Sequence, residues 1–203
     1  MLELIIACCV LALLEMDTTY LGQFLFSRPT CVGAIMGWLC GDFFLGLQLG
    51  IFTELLFVDF MPIGGVVPPS GAICAGIGVI LSAYFAMPIY FSFFVGLMLS
   101  LLFAYIEKNL RKYRSKLLPK LEKNIVENSL KPLPIIIQSF LLEYFAVLIF
   151  VLVTVSLLGQ AFFFADAHIP QKLHIAFQFS YFLVPWIGLS MLFISFSTKP
   201  KAE

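Results

Sequence analysis

The sequence predicts an all-α membrane protein of about five to six transmembrane segments, with broken or re-entrant helices in its N-terminal half. Three observations carry that prediction. Hydrophobic residues make up 61% of the chain and charged residues 12%, against about 25% charged in soluble domains. No charged residue occurs between Asp59 and Glu107, or between Lys172 and Lys199, and such runs exceed the roughly 20 residues that a membrane helix needs. Between residues 28 and 71 the apolar background is broken by Arg28, Asp42, Glu54 and Asp59. It is broken again by Phe60-Met61-Pro62-Ile63-Gly64-Gly65-Val66-Val67-Pro68-Pro69-Ser70-Gly71, which is uncharged yet unsuited to a helix. The strict alternation of a transmembrane barrel is absent.

A single integral membrane domain, 1–203, is expected, and residues 1–71 form its discontinuous half. Segment A, 2–16, is short for a straight crossing and reads as a tilted or partly embedded helix. It lacks the basic start and small-residue cleavage site of a secretory signal. A polar turn, Asp17-Thr18-Thr19, follows. Segment B starts at Ser27-Arg28-Pro29, where Pro29 suits the first helical position. Segment C runs from near Asp42 to near Val58, and the Gly/Pro hairpin comes next. The apolar stretch 72–106 contains Pro88 and reads either as one kinked helix or as two short ones.

Residues 107–131 read as a basic loop that carries eight of the twelve Lys and Arg residues: Lys108, Arg111, Lys112, Arg114, Lys116, Lys120, Lys123 and Lys131. The positive-inside rule puts this loop in the cytoplasm. Two final spans, 132–157 and 173–198, then go out and back, which leaves Lys199 and Lys201 on the same side. Leu110, Leu117, Leu118, Leu121 and Ile125 among the cations also fit an amphipathic surface helix split by Pro119.

The glycine spacing predicts a helix break. Gly33, Gly37 and Gly41 recur every four residues, as do Gly46 and Gly50, but the step from Gly41 to Gly46 is five. Restarting the helix at Asp42 sets Asp42, Gly46, Gly50 and Glu54 four apart on one face, with Thr53 beside the stripe. Asp42 then serves either as a helix N-cap or as a solute contact. The glycines themselves read as a helix-packing face or as a groove framed by two acids. Ionised groups at mid-bilayer cost roughly 2.5–3.5 kcal/mol each, so Glu54, which has no cap to serve, points to a sheltered polar pathway for a small solute.

Other polar positions say less. The five cysteines, Cys8, Cys9, Cys31, Cys40 and Cys74, sit in apolar surroundings without ligand spacing and read as buried packing thiols. Glu143 reads as a helix-to-helix hydrogen bond or a near-interface position. His168 and His174 flank an outer loop and lack a metal-ligand pattern. No metal or cofactor is expected. The basic residues border membrane spans without an aromatic binding face, which argues against nucleic acid. No phosphate loop of the GxxxxGK[ST] type occurs, so the chain does not drive itself with ATP.

Asp17, Gly22-Gln23, Ser27-Arg28-Pro29, Gly33, Gly41-Asp42, Gly46, Gly50-Ile51-Phe52-Thr53-Glu54-Leu55 and the Gly64-Gly65 and Pro68-Pro69 pairs resemble one family over about residues 15–80. That family is the membrane subunit IIC of the mannose/fructose/sorbose class of bacterial sugar phosphotransferase systems. The resemblance implies a sugar-translocating permease subunit in the bacterial cytoplasmic membrane, without a phosphorylation site of its own. It implies a IID-type membrane partner, soluble IIA and IIB phosphocarrier proteins, and assembly as a multimer of IIC–IID pairs. Carried over by position, Gln23, Arg28, Asp42, Thr53 and Glu54 belong to the sugar-binding region, and Gly64, Gly65, Pro68, Pro69 and Ser70 line it. Ser70 departs from the family, whose members commonly carry an acid after the paired prolines. The second half is also shorter than in usual members.

On the residues alone two other classes stay open. One is a vitamin-type binding subunit of an importer driven by a partner ATPase, and the other is a structural membrane subunit without transport.

Overall fold

The computed structural model describes residues 2–20, 24–58, 67–126 and 133–197. Gln23, Asp59, Gly64, Gly65 and Lys131 lie outside the described residues. All regular structure among the described residues is helical: α1 (Leu2–Met16), α2 (Pro29–Cys40), α3 (Phe43–Leu56), α4 (Gly71–Phe85), α5 (Ile89–Val126), α6 (Leu133–Val153), α7 (Gly159–His168) and α8 (Gln171–Ser197). A π-helical stretch, Thr154–Leu158, joins α6 to α7 without a break in the rod.

Three helical stretches among the described residues are long and apolar enough to cross a bilayer: Ile89–Tyr113, Ile136–His168 and Gln171–Ile194. Helices α2 and α3 have 12 and 14 residues, or about 18 and 21 Å of length. Neither reaches across a hydrocarbon core of about 30 Å. They fold back on one another as a hairpin, and its turn falls where the glycine step changes. Gly41 closes α2 with φ +89°, a left-handed conformation that suits glycine. Asp42 caps α3 by accepting the Leu45 N–H at 3.0 Å. The break expected between Gly41 and Asp42 is therefore present.

The two arms of the hairpin pack backbone against backbone. A Cβ added to Gly33 would stand 2.3 Å from the Gly46 carbonyl oxygen, and one added to Gly46 would stand 2.2 Å from that of Gly33. One added to Gly50 would stand 2.5 Å from the Pro29 carbonyl oxygen. The opposing arm fills the glycine stripe, so the stripe is a packing face and leaves no groove between the acids.

Helix α4 is the buried centre of the fold. Every residue from Ala72 to Ser82 is buried, as expected of a helix that is apolar on all sides. It packs on α1, α2, α3 and α5. The stretch left open by Pro88 is two helices. Ala86 turns left-handed (φ +52°) after α4, the Ser82 hydroxyl donates to the Met87 carbonyl at 3.0 Å across the corner, and α5 starts after Pro88.

Helix α5 corrects the basic loop. The chain stays helical to Val126, so residues 107–126 extend a membrane helix, and 127–131 lie outside the described residues. Leucines at intervals among Lys and Arg give this extension an amphipathic pattern, and that pattern allows a helix where a count of charges alone reads as a loop.

Helix α8 docks through Tyr181, whose ring lies 4.7 Å from that of Phe52 on α3 and 5.3 Å from that of Phe93 on α5. Its other face leaves Phe179, Phe182, Trp186 and Phe193 exposed, as fits a helix that borders lipid or a membrane partner.

Candidate functional site

Two polar cavities lie on either side of residues 68–71. The first, about 330 Å³, is lined by Arg28, Pro29, Glu54, Phe57, Val58, Pro68, Pro69 and Gly71. Local rules place its polar groups. Pro29 starts α2, which leaves the next backbone N–H without a partner inside its own helix. Glu54 comes up from the last turn of α3 and supplies that partner. The Thr30 N–H donates to Glu54 Oε2 at 3.1 Å, and the Thr30 hydroxyl donates to the same oxygen. Arg28 Nη1 lies 3.6 Å from the other oxygen, Oε1. The carboxylate thus has one oxygen fixed by a helix N-terminus and the other facing a cation at the cavity wall.

This arrangement brings together Arg28, Glu54, Pro68 and Pro69 of the residues expected from sequence. It adds Thr30, which the sequence reading missed. The available signal was the proline at the start of α2, which marks an open helix N-terminus able to accept an acid from another element.

Two expected residues stand elsewhere. Asp42 caps α3 at the far end of that helix, about 18 Å along the axis from Glu54. Its carboxylate serves the Leu45 N–H at an exposed turn. Thr53 is fully buried. Its hydroxyl donates to the Leu49 carbonyl at 2.7 Å and lies 3.8 Å from the Cys74 sulfur, so it faces α4 and not the cavity. Equal spacing along the stripe put Asp42 and Glu54 on one face, but twelve residues of helix keep them apart. Gln23, Gly64 and Gly65 lie outside the described residues.

The second cavity, about 290 Å³, is lined by Glu15, Thr18, Thr19, Ser27, Pro68, Pro69, Ser70, Gly71, Ala72, Glu107 and Arg111. Ser70 joins its parts. Its oxygen caps α4 by accepting the Ile73 N–H at 3.2 Å, and its hydroxyl donates to Glu15 Oε2 at 2.9 Å. Arg111 Nε donates to Glu107 Oε1 at 3.0 Å, one helical turn away on α5. Beside this cavity Asp17 organises the approach to α2, accepting the N–H groups of Phe24 at 3.0 Å and Ser27 at 3.4 Å. Thr19, in the turn after α1, donates to Glu143 of α6 at 3.5 Å, so this bond ties α6 to a turn and not to another helix.

Polar groups of both signs, buried donors and acceptors, and space between short broken helices suit recognition of a small hydroxyl-rich molecule. No curated protein matches the sequence. Several solved chains are similar in fold, among them the following two. One, described as the structure of a membrane protein, has a TM-score of 0.75 and 18% identity, covering 97% of this chain and 79% of that one. The other is the cryo-EM structure of the mannose transporter ManYZ in complex with microcin E492 (MceA). It has a TM-score of 0.60 and 20% identity, with the same coverage of 97% and 79%. The family profile of the PTS system sorbose-specific IIC component, EII-Sor, matches residues 1–200. The chain therefore belongs to the EII-Sor family and is a sugar-permease membrane subunit of a phosphotransferase system.

Proposed function

We propose that the Arg28/Glu54 cavity is the sugar-contacting region of this subunit, and that its solute is a hexose or a related sugar. One observation carries the reading: a carboxylate oriented by Thr30 and Arg28 stands at the wall of a cavity of about 330 Å³. Sugar hydroxyls both donate and accept, and a fixed carboxylate accepts from them in charge-assisted bonds. Arg28 neutralises the acid while the cavity is empty, which lowers the cost of burying charge. Pro68, Pro69 and Gly71 form the facing wall, and the resemblance adds Gln23, Gly64 and Gly65 to the same region.

In this reading the chain works beside a IID-type membrane subunit, as a multimer of IIC–IID pairs. Soluble IIA and IIB proteins deliver the phosphoryl group, and the chain itself carries none. The likeness to a mannose transporter made of two named parts supports a paired assembly and a hexose substrate. The cation-rich end of α5 and the chain's C-terminal end face the cytoplasm of a bacterial cell.

Equilibrium binding of labelled mannose, fructose and sorbose to the chain copurified with its IID-type partner tests the proposal. Glu54→Gln is expected to lose the sugar held in the Glu54 cavity while membrane insertion and thermal unfolding stay near wild type. Unchanged affinity in that variant would assign Glu54 the merely structural role of capping α2.

A further inference from the structure

Beyond the Glu54 cavity, the second cavity holds more buried polar chemistry than the packing of α1 against α4 needs. Glu15 and Glu107 come from different helices, with side chains nearly out of reach of solvent: the two residues are 5% and 8% exposed. A buried carboxylate needs partners for its lone pairs. Ser70 supplies one hydrogen bond to Glu15, and a carboxylate has room for about four. Glu107 is held on one oxygen by Arg111. Thr18, Thr19 and Ser27 add hydroxyls to the same space.

The lining thus mixes acceptors, donors and a cation around a volume of about 290 Å³. That mix matches neither an anion site, which two carboxylates would oppose, nor an apolar ligand. It also matches no metal site, because among the described residues no group of three or more acidic, cysteine or histidine side chains is placed to hold an ion. A neutral solute that donates to carboxylates and accepts from hydroxyls and a guanidinium fits it.

The two cavities are neighbours. Pro68, Pro69 and Gly71 line both, and on the opposite side Ser27 belongs to one and Arg28 to the other. A few residues of non-helical chain form the partition, and Ser70 pins that partition to Glu15.

We propose that the Glu15/Ser70/Glu107 cavity is a second binding station for the same class of neutral polyhydroxylated solute, separated from the Glu54 cavity by residues 68–71. The proposal rests on the sugar-contacting reading of the Glu54 cavity. In it, solute passing the partition exchanges contacts with Glu54 for contacts with Glu15.

The test is the saturating number of labelled sugars bound per chain, measured by equilibrium dialysis on the full chain copurified with its membrane partner. The probes are mannose, fructose and sorbose. Wild type is expected to hold two per chain, Glu54→Gln one, Glu15→Gln one, and the double variant none. Thr18→Leu keeps Glu15 and fills the cavity from an exposed position, so it too should hold one, even where Glu15→Gln does not fold.

One sugar per wild-type chain, lost in Glu54→Gln and kept in Glu15→Gln and Thr18→Leu, overturns the second station and leaves the Glu54 reading intact. Occupancy unaffected by Glu54→Gln but halved by Glu15→Gln and Thr18→Leu overturns the Glu54 reading instead. One sugar per chain lost in every variant means one continuous site, and it overturns the two-station proposal.

Discussion

Thr30 and Glu54 close the open end of the α2/α3 hairpin, through the Thr30 N–H at 3.1 Å and the Thr30 hydroxyl, both donated to one carboxylate oxygen. The contact joins the first turn of one short helix to the last turn of the next. It also fixes the direction in which the acid meets the cavity.

Thr30→Val removes the hydroxyl and keeps the N–H, so the carboxylate stays near its place but loses one of its two anchors on that oxygen. A hydrogen bond to a charged group contributes about 1.5–3 kcal/mol. Sugar affinity is expected to fall roughly tenfold, and Thr30→Ser is expected to restore it. Binding isotherms for the three forms check this.

Arg28 faces Glu54 at 3.6 Å with its side chain more than half exposed, so the pair contributes little to stability, at most about 1 kcal/mol. Arg28→Gln should leave the thermal unfolding midpoint almost unchanged and weaken sugar binding. A large loss of stability without a change in affinity would count against a ligand role for this guanidinium.

Asp42→Ala removes the α3 cap and should cost about 1 kcal/mol of stability, with Asp42→Asn restoring it. Sugar affinity should be unchanged in both, because Asp42 stands at the other end of α3 from Glu54. Unfolding midpoints and binding constants measured on the same preparations separate the two effects.

Gly46→Ala and Gly41→Ala test two different needs for glycine. At Gly46 the new Cβ would meet the Gly33 carbonyl oxygen at 2.2 Å, so the helices must separate. Overpacking of this kind costs about 1–3 kcal/mol, and rigid backbone on both sides sets the top of that range. At Gly41 nothing lies within 4 Å, and the cost is the left-handed conformation alone, about 1–2 kcal/mol. Gly46→Ala should therefore unfold at the lower temperature of the two.

Ser70→Ala removes both the α4 cap and the donor to buried Glu15. Loss of the cap costs about 1 kcal/mol, and a buried acceptor left without its donor costs about 1–3 kcal/mol more. The thermal midpoint should fall accordingly, and Ser70→Thr should recover most of the loss.

What was legible in the sequence was local. The change of glycine step between Gly41 and Gly46 marked the hairpin turn, and Pro29 marked the start of α2, because both effects act within a few residues. The contact between Glu15 and Ser70, 55 residues apart, was not legible. Helical spacing tells which side chains share a face, but not which distant hydroxyl that face will meet. The same limit explains Asp42 and Glu54, which share a stripe and serve different ends of it. The basic stretch after Glu107 was read by charge as a loop, or by its leucines as an amphipathic helix split at Pro119, whereas α5 runs on through Pro119 to Val126. Pro88 left two outcomes open, and the left-handed turn at Ala86 decided between them.

Where glycine α-carbons and carbonyls of α2 and α3 touch directly, no side chain sits between the arms to rearrange when one slides past the other. The hairpin is therefore a single stiff piece that carries Thr30 and Glu54 in constant register. Under the proposed sugar-contacting reading, a change in the width of the Glu54 cavity would have to come from its other wall, at Pro68 and Pro69. In mechanical terms, the acid is mounted on a rigid anvil and faces a non-helical proline segment that belongs to neither arm.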